Sequence, residues 1–441
     1  MLFLRFNVFA WKDSIRSFEP VTARALLRPF PDIGCLFRFI PNSGLRMVKI
    51  AAFTPNQRNV ILERLRNAKM ARSAHSYVRG NTINFYEWLE SGIGRALPSG
   101  PDVWICGDCH LGNLGPVANA EGDVQIQIRD LDQTVIGTPA HDMVRLGLSL
   151  AMAARGSDLP GVATASILEE VVRGYVEGLM SPMQRTRQKK STAIEKVMKE
   201  ATRRRWHHLA TERIENVKPH IPLGKRFWAL SQKERDAIQD LLASEETANL
   251  ITCLHGRDRD VEVRLLDAAY WVKGCSSLGR LRYAVLLGVG RNQFCLVDIK
   301  EAVPAAAPRA VKAKMPKDNA VRVVEGARNL SPYLGERMMP AKLLSKSVVL
   351  RELMPQDLKL EMGRITRAEA VAASRYLAAV LGRAHGRQIK AEERRAWRTQ
   401  ILSRTSKDLD APSWLWTSVV ELIASHEAAY LDHCRRHGAP A

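Results

Sequence analysis

A block of closely spaced strand-like segments interrupts an otherwise helical chain, and this interruption limits the fold more than any other feature. Val261–Leu265, Ala268–Val272, Arg282–Leu287 and Phe294–Ile299 are short and apolar or alternating, with turn residues between them. Ser347–Leu350 adds a further strand, after a Pro/Ala-rich loop at Val303–Pro308. Upstream the period is mostly helical. Asn56–Arg72 sets Val60, Ile61, Leu65 and Met70 on one side, and further helices are expected near 142–154, 163–179 and 232–244. Two short strands, Val103–Cys106 and Val124–Ile128, precede them. Downstream, Arg367–Ala384 is strongly amphipathic, and a helical tail carries Trp397, Trp414 and Trp416. Helix and strand are segregated along the chain, which makes the expected class α+β.

Composition narrows the partners. At 441 residues, with 46% apolar and 25% charged residues, the chain reads as a soluble protein long enough for two lobes around a cleft. The longest nearly unbroken apolar run, Leu146–Ala154, is far short of the roughly 20 residues a membrane span needs. Residues 1–46 are basic, but Arg5, Lys12 and Asp13 break any signal-peptide core; they are read as an extension, and the protein is expected to be cytoplasmic. Seven cysteines, an odd number, fit reduced thiols. The formal charge of +20 favours anionic ligands. A basic stretch, Arg185–Arg205, is read as a solvated helix in preference to a nucleic-acid grip.

Chemistry-bearing residues concentrate in two segments. In the first, Gly107-Asp108-Cys109-His110-Leu111-Gly112-Asn113 is followed by Arg129-Asp130-Leu131-Asp132. A carboxylate and a carboxamide on one tight loop can hold a hydroxyl and a divalent cation, and a carboxylate after the next strand completes the metal site. Asp108, His110 and Asn113 are the catalytic candidates, with His110 orienting the loop. Asn113, Asp130 and Asp132 are the metal candidates. In the second segment, Gly274-Cys275-Ser276-Ser277-Leu278-Gly279 joins two strands, and Lys300 ends the strand after them. Glycines there let backbone N–H groups approach phosphate. Glu325, on a helix-like segment, is expected to pair with Lys300. The bland reading of the first segment is Asx-turn chemistry. Cys106-Gly107-Asp108-Cys109-His110 also spells a haem-attachment or dithiol pattern, disfavoured without an export signal or a thioredoxin-like context.

Gly107-Asp108-x-His110-x-x-Asn113 followed by Asp130-Leu131-Asp132 resembles the catalytic core of the aminoglycoside- and choline-kinase-like phosphotransferases, which have the two-lobed protein-kinase-like fold. The resemblance implies ATP and Mg²⁺ as cofactors. Asp108 would be the base, Asn113 and Asp130 metal ligands, and Asp142 the structural aspartate opening the following helix. Gly274, Ser276, Ser277 and Gly279 would cover the phosphates, Lys300 would contact them, and Arg351-Glu352-Leu353-Met354 would be the hinge beside the adenine. The order is inverted, since the glycine loop follows the catalytic aspartate, so the resemblance implies a circular permutation. Asp298, on the same side of its strand as Lys300, departs from it. The expected layout is an extension at 1–46, a helical catalytic lobe at 47–255, a β-rich nucleotide lobe at 256–355 and completing helices at 356–441. Over roughly 53–436 the chain also resembles a bacterial family, domain of unknown function 2252. The expected activity is phosphoryl transfer to a hydroxyl or amine of an unidentified small molecule, an anionic acceptor being one that the net charge would suit. The alternatives are a non-catalytic pseudokinase or a basic nucleic-acid-binding protein.

Overall fold

The tertiary structure is mixed α and β, with three separate sheets among the described residues. The computed structural model describes residues 55–91, 97–184, 190–214, 220–252, 257, 261–275, 278–291, 293–360, 366–403 and 411–437. The extension at 1–46 and the serines Ser276 and Ser277 lie outside them.

The chain opens with α1 (Pro55–Met70), α2 (Ala74–Gly80) and α3 (Thr82–Glu90). Ser73 and Asn81 cap α2 and α3 by accepting from Ser76 N–H and Asn84 N–H. Four short strands follow: β1 (Val103–Ile105), β2 (Leu114–Ala118), β3 (Val124–Ile128) and β4 (Val135–Gly137). β1 pairs with β4, and β2 with β3, both antiparallel. Helices α4 (Pro139–Arg155) and α5 (Gly161–Met180) come next, then α6 (Thr192–Arg203) and α7 (Trp206–Ile214).

A two-residue strand, β5 (Phe227–Trp228), and helices α8 (Gln232–Leu242) and α9 (Glu245–Thr252) lead into the long strands β6 (Val263–Trp271), β7 (Arg282–Val289) and β8 (Gln293–Glu301). Helices α10 (Asn319–Leu330) and α11 (Pro332–Gly335) separate these from β9 (Met338–Leu343) and β10 (Lys346–Glu352). Together they form one antiparallel sheet in the order β5-β6-β7-β8-β10-β9. The two strands expected at 261–265 and 268–272 are a single strand, β6, with a register irregularity between Leu265 and Asp267. Helices α12 (Arg367–Gly386), α13 (Ala391–Leu402) and α14 (Ser413–His437) complete the chain.

Alternation along the sheet assigns each strand two faces. Tyr270, Tyr283, Val285, Val297, Ile299, Val348 and Leu350 bury one face against Leu62 of α1 and Ile238, Leu250 and Ile251 of α8 and α9. The sheet's core thus reaches back into residues upstream of 256. Ala269, Trp271, Ala284, Leu286 and Leu296 line the opposite face, with Leu353, under Leu209 and Ala210 of α7 and against Trp206. A larger core joins α3, α4, α5, α10, α12, α13 and α14 around β1–β4. Its tightest seam is α5 on α12. A Cβ added at Gly174 or Gly178 would come within 2.0 Å or 2.2 Å of carbonyl oxygens on α12, and at Gly382 within 2.1 Å of Tyr175 O. The two backbones are therefore in direct contact, which only glycine permits.

Candidate functional site

The β2–β3 hairpin explains why Asn113 and Asp130 meet. Leu114 pairs with Ile128, and Arg129 N–H donates to Asn113 O at 2.8 Å, so the residues just outside the ladder lie side by side. Asn113 Nδ2 donates to the backbone carbonyls of Asp130 (2.7 Å) and Asp108 (3.3 Å). Two carbonyl neighbours identify that atom as the amide nitrogen and leave Oδ1 as the atom able to take a cation. Lys300 reaches the loop from the sheet, its Nζ 3.3 Å from Asp130 Oδ1 and in contact with Asp132. Asn113, Asp130 and Lys300 are thus brought together, with the Asp108 backbone carbonyl beside Asn113.

Asp108 itself is gripped. Arg145, buried on α4, donates to Asp108 Oδ1 through Nε (3.0 Å) and Nη2 (2.8 Å), while Asp108 Oδ2 lies 4.0 Å from His110 Nε2. Oδ2 is the oxygen left to meet an acceptor. The loop behind it hangs on Asp142, whose carboxylate accepts from Cys106 N–H (2.7 Å) and Gly107 N–H (2.9 Å). Gly107 has φ +72° and a position where a Cβ would meet Gln133 O at 2.1 Å, so no other residue fits there.

Asp142 is held in turn by a buried chain that sequence reading missed. Trp397 Nε1 donates to Tyr175 Oη (3.1 Å), Tyr175 Oη bonds His385 Nδ1 (3.0 Å), and His385 Nε2 bonds Asp142 Oδ2 (3.2 Å). Read in that direction, Tyr175 donates to Nδ1 and the Nε2–H of His385 donates to Asp142. The helices α5, α12 and α13 therefore fix the loop of α4 and β1. A lone histidine near the end of an amphipathic helix gave no signal of this.

Cys106 and Cys109 are fully buried free thiols, and burial pushes the Cys106 thiol well up. Such thiols are inert, which argues against the dithiol pattern.

Charge in the cleft is organised by strand faces. Asp298, the unexpected acid, is buried and bound by Arg282 (2.9 and 2.5 Å) and Arg351 (3.4 Å). Burial pushes its carboxyl up, but Arg282, Arg351 and Lys273 together outweigh burial and hold it below the usual range. Asp130 is likewise pushed up by desolvation and held low by Lys300 and Arg351. Asp132 is raised, by burial and then by the charge of Asp130.

Two expected contacts are absent. Lys300 pairs with Asp130 and Asp132 and not with Glu325. The reason is the phase of α10: Val323 lines the cleft, and a residue two positions on points about 200° away. Glu352 likewise does not line the cleft. It follows Val348 and Leu350 onto the other face of β10, where Arg257 binds it at 2.8 and 2.9 Å. The hinge backbone is also engaged: Arg337 donates to Glu352 O, Leu353 N–H to Leu296 O, and Met354 N–H to Asp357 Oδ2. Gly274 and Gly279 both have positive φ, at 101° and 95°. Lys69 of α1 donates to Gly274 O at 3.0 Å.

The space bounded by Asp130, Asp132, Arg282, Asp298, Lys300 and Arg351 is about 40 Å³. That holds about three waters, whereas small-molecule pockets run to roughly 300–1,000 Å³. The apolar end of the same sheet face lies under α7.

A family model described as "Uncharacterized protein conserved in bacteria (DUF2252)" matches residues 59–436. The chain belongs to that family. No curated protein and no solved structure matches the chain. The DUF2252 span contains Asp108, Asn113, Asp130, Asp132, Lys300 and Arg351, together with Arg145, Tyr175, His385 and Trp397. No helix among the described residues is long and apolar enough to cross a membrane.

Proposed function

We propose that the protein is an ATP- and Mg²⁺-dependent phosphotransferase of circularly permuted protein-kinase-like design, acting on a hydroxyl or amine of a small molecule. The observation that carries this reading is the approach of Lys300 to Asp130 at 3.3 Å, with Asn113 braced on the carbonyls of Asp108 and Asp130. The order of elements supports it. Two glycines of positive φ lie between β6 and β7, Lys300 stands next to last on β8, and helix α10 follows, an order that matches the arrangement protein kinases use around the phosphates.

The donor set suits Mg²⁺. No group of three or more His, Cys, Asp or Glu gathers among the described residues, so there is no self-sufficient metal cage. Mg²⁺ seldom needs one; it binds one or two carboxylates and takes its other oxygens from phosphate and water. Asp130 and Asn113 Oδ1 would hold it, and the bound ion would neutralise charge on the transferring group. Lys300 would exchange its carboxylate partners for phosphate oxygens. Asp108 Oδ2 would align the acceptor hydroxyl, and the Arg145 contact on Oδ1 fits an orienting role better than that of a strong base. A loose phosphoryl-transfer transition state asks for little more.

Thermal unfolding tests the reading. ATP with Mg²⁺ at a hundredfold excess over Kd should stabilise the protein by about 2.7 kcal/mol, and Asp130→Ala should abolish the effect. Asp108→Asn should keep the stabilisation while turnover falls about 10²–10⁴-fold. Failure of every nucleotide to stabilise the protein would sink the proposal.

A further inference from the structure

The basic run of the sequence contributes α6, and the cations of that helix gather on one side. Lys196, Lys199 and Arg203 follow one another at intervals of three and four residues, so they form an exposed row about 10 Å long. The other side is fixed: Ile194 is buried in the large core, and Val197 and Met198 pack against it. Arg204 ends α6 and Trp206 begins α7, so the two helices meet at a short joint. A cavity of about 390 Å³ lies between them, lined by Lys196, Lys199, Glu200, Arg203, Arg204 and His208. The space beside Lys300 is about 40 Å³, whereas small-molecule pockets run to roughly 300–1,000 Å³.

Four cations and one acid line this cavity, and Arg204 takes the acid. Its side chain is largely buried and is held by Pro355 O at 2.7 Å, Glu212 at 2.5 Å and Glu200 at 3.7 Å. Lys196, Lys199 and Arg203 pair with no acid among the described residues. His208 adds a donor. Its Nδ1 accepts from Arg205 N–H at 3.1 Å, which leaves the ring hydrogen on Nε2. The helix dipole favours cations in a last turn, which accounts for Arg203 but not for Lys196 further in.

We infer that this cavity is a binding site for a small polyanion, a molecule carrying two or more carboxylate or phosphate groups. Three unpaired cations in a row are matched best by a ligand whose charges are spaced along it, each taking charge-assisted hydrogen bonds. A concave space of this size favours a small molecule over a nucleic-acid strand, which uses an extended track and aromatic stacking platforms. Trp206, beside the joint, offers no such platform, since it stacks on Phe294 at 6.0 Å and packs against the sheet. None of the cavity's lining residues borders the space beside Lys300, so the site is separate from the proposed transfer site.

Isothermal titration of the full chain with citrate and with tripolyphosphate, both free of Mg²⁺, tests the assignment and separates carboxylate from phosphate ligands. The wild type should bind at least one of them, and Lys199→Gln combined with Arg203→Gln should weaken that binding at least tenfold. Lys233→Gln, exposed on α8 and outside the cavity, removes one charge elsewhere and should change affinity less than twofold. Circular dichroism checks that each variant is folded; should the double variant fail, Lys196→Gln decides in its place. No binding of either anion, or as large a loss in Lys233→Gln as in the double variant, overturns the site. Tighter binding of a short single-stranded oligonucleotide than of either anion, lost in the double variant, overturns the small-ligand assignment. Asp130→Ala, which should abolish stabilisation by ATP and Mg²⁺, should leave this binding intact. Binding that depends on Asp130 and not on Lys199 and Arg203 would place the anion in the transfer site and overturn the inference.

Discussion

His426 is almost fully buried, and its electrostatic neighbour is Arg145, the residue that grips Asp108. Burial, reinforced by that guanidinium, pushes its imidazole down to about 4. An unfolded histidine titrates near ~6.5. The unfolded chain therefore binds the proton first, so this contribution to stability is complete above about pH 6.5 and is lost as pH falls toward 4. Urea unfolding between pH 7.5 and 4.5 should show stability falling by up to about 1.4 kcal/mol per pH unit from this residue alone. His141, also pushed to about 4 by burial, adds to the slope in the same window. His426→Gln should flatten the slope, and an unchanged slope would show that His426 does not titrate there. His385→Phe makes a second test at this scale. It leaves Asp142 Oδ2 short of a buried donor, at a cost of about 1–3 kcal/mol, and should lower turnover while nucleotide affinity is kept. At this scale the sequence was informative about Asp108, Asn113, Asp130 and Lys300, because short-range spacing on loops and strand ends is visible in one dimension. Arg145, His385 and Tyr175 were not, because their partners are 37, 243 and 210 residues away.

Among the elements, the long helices and the strands of the large sheet follow their periodicity closely, while the strands with Gly and Pro in them do not. Leu114–Ala118 contains Gly115 and Pro116 and is not expected as a strand, yet it is the strand whose register sets Asn113 beside Asp130. A two-strand ladder tolerates proline because one side of each strand needs no partner. The α5–α12 seam is a different case: its glycines look like helix weakness in sequence and are packing necessities in space. Gly178→Ala should destabilise by about 3 kcal/mol or more, above the usual range for overpacking, because the added Cβ meets Ala379 O at 2.2 Å. Gly161→Ala, at the start of the same helix with nothing within 4 Å, should change stability by less than about 1 kcal/mol. Denaturant unfolding of the pair separates backbone contact from helix propensity, and equal effects would refute the contact. Loss of the seam should also loosen the Trp397–Tyr175–His385–Asp142 chain, since Tyr175 and His385 lie on its two helices.

In the whole molecule, the decisive arrangement is that one face of the six-stranded sheet serves two purposes. Its polar end, with Arg282, Asp298, Lys300 and Arg351, faces Asp130 and Asp132. Its apolar end, with Ala269, Trp271, Ala284, Leu286 and Leu296, lies under α7. On the kinase reading a purine has to enter at that apolar end, so α7 has to leave it. Hydrogen exchange should then rise in residues 206–214 on saturation with ATP and Mg²⁺, while residues 282–300 become protected. Unchanged exchange in 206–214, with ATP bound, would mean that the base lies elsewhere. Arg204 ties the start of this segment to the expected hinge, its Nε donating to Pro355 O at 2.7 Å.

By itself the sequence determined the class of the fold, the main helices and strands, and the loop and strand-end positions of the candidate polar groups. These depend on residue type and local spacing, which a linear pattern records. Tertiary structure alone decided which of those groups meet: Lys300 with Asp130 and Asp132 in preference to Glu325, Asp298 with Arg282 and Arg351, and Glu352 turned to the far face with Arg257. Each of these pairings follows from strand register, helix phase or the face on which a side chain emerges. Those quantities exist only once distant segments have packed, because packing is what couples one segment's geometry to another's.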